Sequence, residues 1–180
     1  QPAVPDDASP AEAWLAHYAQ RPPLRFQTYV AAAPNPAAVT IAERFVTEQQ
    51  WGVFDVSLDD GADPWAYRPD LAGRGGDGDW DYFNTHRFLN DLCDAYDQTQ
   101  DVRFLAAGRD LMLDWIRRHP PPTDTDGGTG LTWGSLAPCC RALTWVRAWQ
   151  LFLDANVLSP EQHATFLTSL WETAHHLDHY

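Results

Sequence analysis

From residue 83 onward the apolar residues of this chain fall three and four apart almost without interruption, the spacing of one buried helical face. Phe88, Leu89, Leu92, Cys93 and Tyr96 predict a helix to about residue 98. Asp101 then caps a second helix carrying Phe104, Leu105, Leu111, Met112, Trp115 and Ile116. The link between them is so short that the two must run antiparallel as a hairpin. His119 and the run Pro120-Pro121-Pro122 end the second helix, because proline lacks the donor and clashes with the preceding turn. After a polar stretch from Thr123 to Thr132, a third helix is predicted over about 138–155, with Leu143, Val146, Trp149, Phe152 and Leu153 facing inward. Ser159-Pro160-Glu161-Gln162 is a capping box, and it opens a fourth helix that turns Phe166, Leu167, Leu170, Trp171, Ala174 and Leu177 inward. No Gly, Asn or Pro stops that helix before Tyr180, so the natural protein is expected to continue past it.

The first eighty residues are less regular. Ser9-Pro10-Ala11-Glu12 supplies an N-cap, a proline at the first helical position and a capping-box acid for a helix to about residue 19, which Arg21-Pro22-Pro23 ends. Asn35-Pro36 starts another, with Val39, Ile41, Ala42, Phe45 and Val46 on one face to about residue 49. The tract 51–81 is rich in Gly, Asp and Pro; Val53, Phe54, Val56 and Leu58 amount to a short strand at most. Its aromatic residues Trp51, Trp65, Tyr67 and Trp80 predict a packed rather than a disordered connection. The expectation is an all-α protein of antiparallel helix hairpins over residues 83–180. The irregular, aromatic-rich segment 1–82 packs on those hairpins within one domain. Consecutive hairpins fit an α-solenoid or an α/α toroid, and the lack of a fixed repeat length favours the toroid.

Composition narrows the partners. With 25 acidic against 12 basic residues the net charge is -13, and no basic stripe exists to neutralise phosphates, which excludes nucleic acid. No apolar run approaches the roughly 18–20 residues that a membrane helix needs. All 12 cations are arginine, the side chain whose planar fork pairs with both oxygens of a carboxylate, although a codon bias would produce the same count. Nine tryptophans suit helix cores and sugar rings alike. Cys93 on one predicted helix and the vicinal Cys139 and Cys140 on another allow one disulfide in an oxidising compartment, or three free thiols. The start at Gln1 with a Pro/Ala-rich stretch is that of a mature secreted or periplasmic protein, or simply the edge of a piece.

The series Trp80-Asp-Tyr-Phe-Asn84-Thr-His86-Arg87-Phe88, followed by Ala95-Tyr96, Thr99-Gln100-Asp101 and Asp114-Trp115-Ile116, resembles the heparinase II/III-like and alginate-lyase-like polysaccharide lyases. Trp133, Arg141 and Trp145 extend the likeness in order into the next helix. Two departures stand out: Thr85 replaces the family's Arg, with Arg87 close by, and Gln100 replaces the Gly of its Thr-Gly-Asp. The resemblance implies an α/α toroid and β-elimination on a uronate-containing polysaccharide or oligosaccharide, alginate-like or glycosaminoglycan-like, without a cofactor. It also implies that the catalytic Asn-His pair and Tyr lie in a C-terminal part beyond this chain.

Within the chain the resemblance singles out Asn84, His86, Arg87, Trp133 and Arg141 as the residues that line the substrate cleft. Four of them have a plainer alternative. Asn84 could serve only as an N-cap, His86 as a buried histidine with satisfied nitrogens, and Trp133 as a core ring. Arg141 lies in a largely apolar helix one turn before Trp145, where a charge must be paired or aimed into a cleft. Asp77, Asp79 and Asp81 alternate like a calcium loop but lack its Gly and Glu, and Asp124 and Asp126 are no stronger. His175, His176 and His179 share a helix without a third ligand from elsewhere, so no metal site is assigned. A glycoside hydrolase on the same kind of toroid and a non-catalytic glycan-binding helical module are the competing readings.

Overall fold

A computed structural model describes residues 8–20, 35–48, 50–51, 56–57, 84–122, 132–134 and 136–178. Among them are six helices: α1 (Pro10–Ala19), α2 (Ala38–Glu48), α3 (Phe88–Thr99), α4 (Val102–Arg118), α5 (Leu136–Asp154) and α6 (Pro160–Asp178). The only pairing of extended backbone in the described residues is an antiparallel bridge of Gln50-Trp51 with Val56-Ser57. The all-α expectation is met. None of the described helices is long and apolar enough to cross a membrane. The expected packing of Trp65, Tyr67 and Trp80, the acidic pattern Asp77, Asp79 and Asp81, Asp124, Asp126 and His179 all lie outside the described residues.

Local chemistry sets the helix ends. In α1 the Glu12 amide donates to Ser9 Oγ at 3.3 Å, and the Ser9 amide donates back to Glu12 Oε2 at 2.7 Å. The Ser159/Gln162 pair repeats this reciprocal bond at α6, with distances of 2.9 and 3.2 Å. Asn35 starts α2 by accepting from the Ala37 amide, and its own side-chain amide reaches Asp91 of α3 at 2.8 Å. Asp101 caps α4 through the Arg103 amide at 3.0 Å. Between α3 and α4 stands Gln100 at φ 60°, in the left-handed region. That is where the resembled family carries Gly, which adopts this conformation without the Cβ clash. Gln100→Gly is therefore expected to stabilise the chain by about 0.5–1 kcal/mol, measured as a rise in the urea midpoint at unchanged m-value.

Packing follows from these ends. α3 and α4 form one antiparallel hairpin, α5 and α6 the next, with α2 laid against α3 and α1 against α6. Gly108 lets α4 approach α3 closely, since a Cβ there would stand 2.9 Å from Leu89 Cδ2. The core runs through Leu89, Leu92, Phe104, Met112, Phe152 and Phe166. The tight turns at Gln100-Asp101 and 155–159 lie at one end of the hairpins. The start of α3, the end of α4, the start of α5 and the end of α6 share the other end, which also carries the long connection from His119 to α5.

Three inward assignments are overturned. Leu143 is 61% and Trp171 65% exposed, and Ala174 is exposed as well. The apolar residues of α5 and α6 spread over more than one face, and the neighbours among the described residues cover only one of them. The cysteines are free thiols; Cys93 is buried, and burial pushes its thiol up to about 12.

Candidate functional site

At the end of the hairpins that carries the long connection, four of the five residues singled out from sequence come together. Asn84, His86, Trp133 and Arg141 are all buried, from fully sealed to 6% exposed, and they meet around Trp115 and Trp145. Arg87 does not join them. It is exposed, with Nη2 3.9 Å from Cys140 Sγ. An open cleft wall was the expectation; instead, in the described residues, the indoles of Trp115 and Trp133 close over Arg141.

Asn84 is not the helix cap. The cap position of α3 is Arg87; Asn84 is itself helical and stands just before the turn 85–87, whose His86 carries φ 56°. A left-handed non-glycine residue is held there by its surroundings, a kind of strain that gathers at functional sites. Those surroundings are specific. Asn84 Oδ1 accepts from Trp115 Nε1 at 3.3 Å, and the Asn84 carbonyl accepts from Arg141 Nη1 at 3.1 Å. His86 Nδ1 accepts from Trp145 Nε1 at 2.9 Å, so the proton of the neutral ring resides on Nε2. Burial, reinforced by the positive charge of Arg141 and by His119, holds the His86 imidazole well below the usual histidine range. At neutral pH the ring is uncharged, and its Nδ1 is committed to Trp145.

Arg141 and Trp145 are one turn apart on α5, so both side chains project to the same side of that helix. The guanidinium carbon lies 4.0 Å from the ring centre of Trp115, 4.9 Å from that of Trp133 and 5.6 Å from that of Trp145. Electron-rich ring faces stabilise a cation that has lost its water. Nη1 also donates to the Thr132 carbonyl at 3.0 Å. Burial lowers the Arg141 pKa to about 9, which leaves it charged at neutral pH.

Trp133 is pinned at two points. Its Nε1–H donates to the His119 carbonyl at 3.3 Å, and its own carbonyl accepts from His176 Nε2 at 2.9 Å. His119 stacks on Trp115 with ring centres 5.1 Å apart. His119, His176 and Trp115 are therefore members of the cluster that sequence reasoning assigned elsewhere, to a helix stop, a rejected metal site and the core. The i, i+4 spacing of Trp115 and His119 was the available signal for their meeting. His175 instead stacks on the exposed Trp171 at 5.3 Å. Among the described residues no group of three or more His, Cys, Asp or Glu could hold a metal ion.

The cluster is a buried cation enclosed by indoles with a neutral histidine beside it, whose Nδ1 is committed to Trp145 and does not take up a proton. Comparison with known sequences adds one match: the model of a protein family described as Heparinase II/III N-terminus covers residues 12–180. No curated protein and no solved structure matches the chain.

Proposed function

Because this chain belongs to the heparinase II/III N-terminal family, we propose that it forms one wall of the substrate cleft of a lyase that cuts a uronate-containing polysaccharide by β-elimination. Membership relates the chain to polysaccharide lyases; the cleavage, the cleft and the uronate are our reading. The observation that carries it is the gathering of Arg141, three indoles, Asn84 and His86 at the end of the hairpins where the long connection lies.

Elimination needs the uronate carboxylate neutralised so that the proton at C5 becomes acidic, a base to take that proton and an acid to protonate the departing glycosidic oxygen. Arg141 has the charge for the first task. His86, uncharged and bonded through Nδ1, positions the turn around Asn84 instead of transferring protons. On this reading the proton-transfer groups lie outside the cluster around Arg141. On the same reading the hairpins form an arc of an α/α toroid, and the protein works in the periplasm or outside the cell, where acidic polymers occur.

The intact protein, incubated with alginate, heparan sulfate, hyaluronan and ulvan, is expected to release unsaturated uronate, seen as new ultraviolet absorbance from at least one polymer. Residues 1–180 alone are expected to release none. Reducing sugar without that absorbance would turn the reading to a hydrolase, and binding without either product to a glycan-binding module.

A further inference from the structure

Of the six helices, α1 is the least anchored. None of its 10 residues is fully buried, and Trp14 near its middle is 50% exposed. It lies along α6 beside α5, and Tyr18 is the α1 side chain that packs against the core. The Tyr18 ring stands edge-on to Trp149 of α5 and to His163 of α6, with centres 5.1 and 5.7 Å away. Beneath it those two rings are nearly parallel, 5.9 Å apart at 11°, and Phe166 continues the row from Trp149 at 6.1 Å. The helix is thus fastened to the core through one ring.

Under that fastening lies a base with nothing to answer a charge on it. His163 is 0% exposed, and among the described residues neither of its ring nitrogens has a hydrogen-bond partner. Few groups around it carry or exchange charge. From α1 come Tyr18 and, edge-on behind it at 5.3 Å, the exposed His17. On α5, Trp149 is uncharged, and Asp154 is exposed and accepts from Gln150. Glu161 of α6 itself is exposed and accepts from the Ser159 hydroxyl. Arg109 of α4 is taken by the Val157 carbonyl and by Asp110. Burial is the one cause that lowers the His163 pKa. A neutral imidazole is tolerated in such a seam, whereas an imidazolium there has two charged donors and no acceptor. Lifting α1 gives both donors to water. The lifted state therefore takes up its proton at a higher pH than the docked state does, and acid favours lifting. We propose that α1 is a pH-released strap: Tyr18 holds it over Trp149 and His163 at neutral pH, and protonation of His163 frees it while α3 to α6 stay folded. Release bares the row of rings that α1 covers, a local opening far smaller than unfolding of the chain.

Hydrogen exchange of the intact protein, read by mass spectrometry from about pH 8 to 5, compares the amides of α1 with those of α3 and α4. Protection factors are the measure, because intrinsic exchange itself slows in acid. Protection of α1 is expected to be level above the ordinary histidine pKa of 6.5 and to fall by up to about tenfold per pH unit below it. It should be lost while α3 and α4 are still protected. His163→Phe should keep α1 protected across the whole range, and Tyr18→Ala should free it at every pH. Level protection of α1 in the wild type, a fall that persists in His163→Phe, wild-type protection in Tyr18→Ala, or loss from α1, α3 and α4 together would each overturn the strap. If His163→Phe does not fold, the Hε1 resonance of His163 in the wild-type protein decides. Proton uptake at the pH where α1 loses protection supports the strap; a ring that titrates with α1 still protected, or stays neutral after α1 is freed, sinks it.

Discussion

Trp115→Ala should lower the stability of the chain by about 4–5 kcal/mol, while Trp171→Ala should change it by no more than about 0.5 kcal/mol. Both tryptophans sit at helical spacing among apolar neighbours, and sequence periodicity assigns both to buried faces. Their surroundings separate them. Trp115 is fully buried, gives its indole N–H to Asn84 Oδ1, and packs against His86, His119, Trp133 and Trp145 with ring centres 5.0–5.9 Å apart. It also provides the nearest of the three faces over Arg141. Alanine there opens a cavity, leaves the Asn84 side-chain oxygen without its donor and takes from a desolvated cation its closest compensating surface. Trp171 is 65% exposed and touches chiefly its own helix neighbour His175. Urea unfolding followed by circular dichroism measures both. A loss below about 2 kcal/mol for Trp115→Ala, within the range of ordinary substitutions, would mean the cluster is loosely packed and could not hold a guanidinium fork in register.

That contrast also marks how far the sequence could be read. The starts of α1, α4 and α6 were legible because Ser9/Glu12, Asp101 and Ser159/Gln162 act on amides two or three residues away, a local chemistry that needs no tertiary information. The start of α3 was placed five residues early. Apolar spacing carries on through Phe83 and Phe88, whereas the backbone breaks at His86, whose left-handed turn is held by Trp145 and Arg141, residues 59 and 57 positions from their partners His86 and Asn84. Four members of the cluster were found through an ordered family likeness rather than through spacing. That likeness could not say that the four would be buried, nor that Arg87, next to His86, would face out. Which apolar face of α5 or α6 is covered depends on what packs there, and Leu143 and Trp171 show that periodicity counts apolar residues without knowing their neighbours.

Acidification should destabilise the chain in a window that begins at the ordinary histidine pKa of 6.5 and extends below it. His86 and His163 are each buried, and burial lowers the pKa of both. A base whose pKa is depressed on folding takes up its proton first in the unfolded chain. Stability is therefore flat above 6.5 and falls as pH drops below it, until the folded state protonates too. His86, held well below that value, contributes a slope approaching about 1.4 kcal/mol per pH unit, and His163 adds to it. Carboxylates act lower down: Glu12 and Asp101 have pKa values below their ordinary 4.5 and 3.8 and add to the loss there, while Asp91, raised chiefly by burial, opposes it. The interval from about pH 5 to 6.5 thus isolates the histidines. Their contributions can be told apart, because among the described residues His163 has no hydrogen-bond partner on either ring nitrogen and lies stacked on Trp149 at 5.9 Å with Tyr18 edge-on at 5.7 Å. Phenylalanine keeps that shape and buries no polar nitrogen, so His163→Phe should stabilise the chain by about 1–2 kcal/mol at pH 7 and make the acid slope shallower. Urea midpoints taken at half-unit steps from pH 8 to 4.5 read both effects. An acid slope unchanged by His163→Phe would mean that the ring is protonated in the folded chain and is not sealed between α1, α5 and α6.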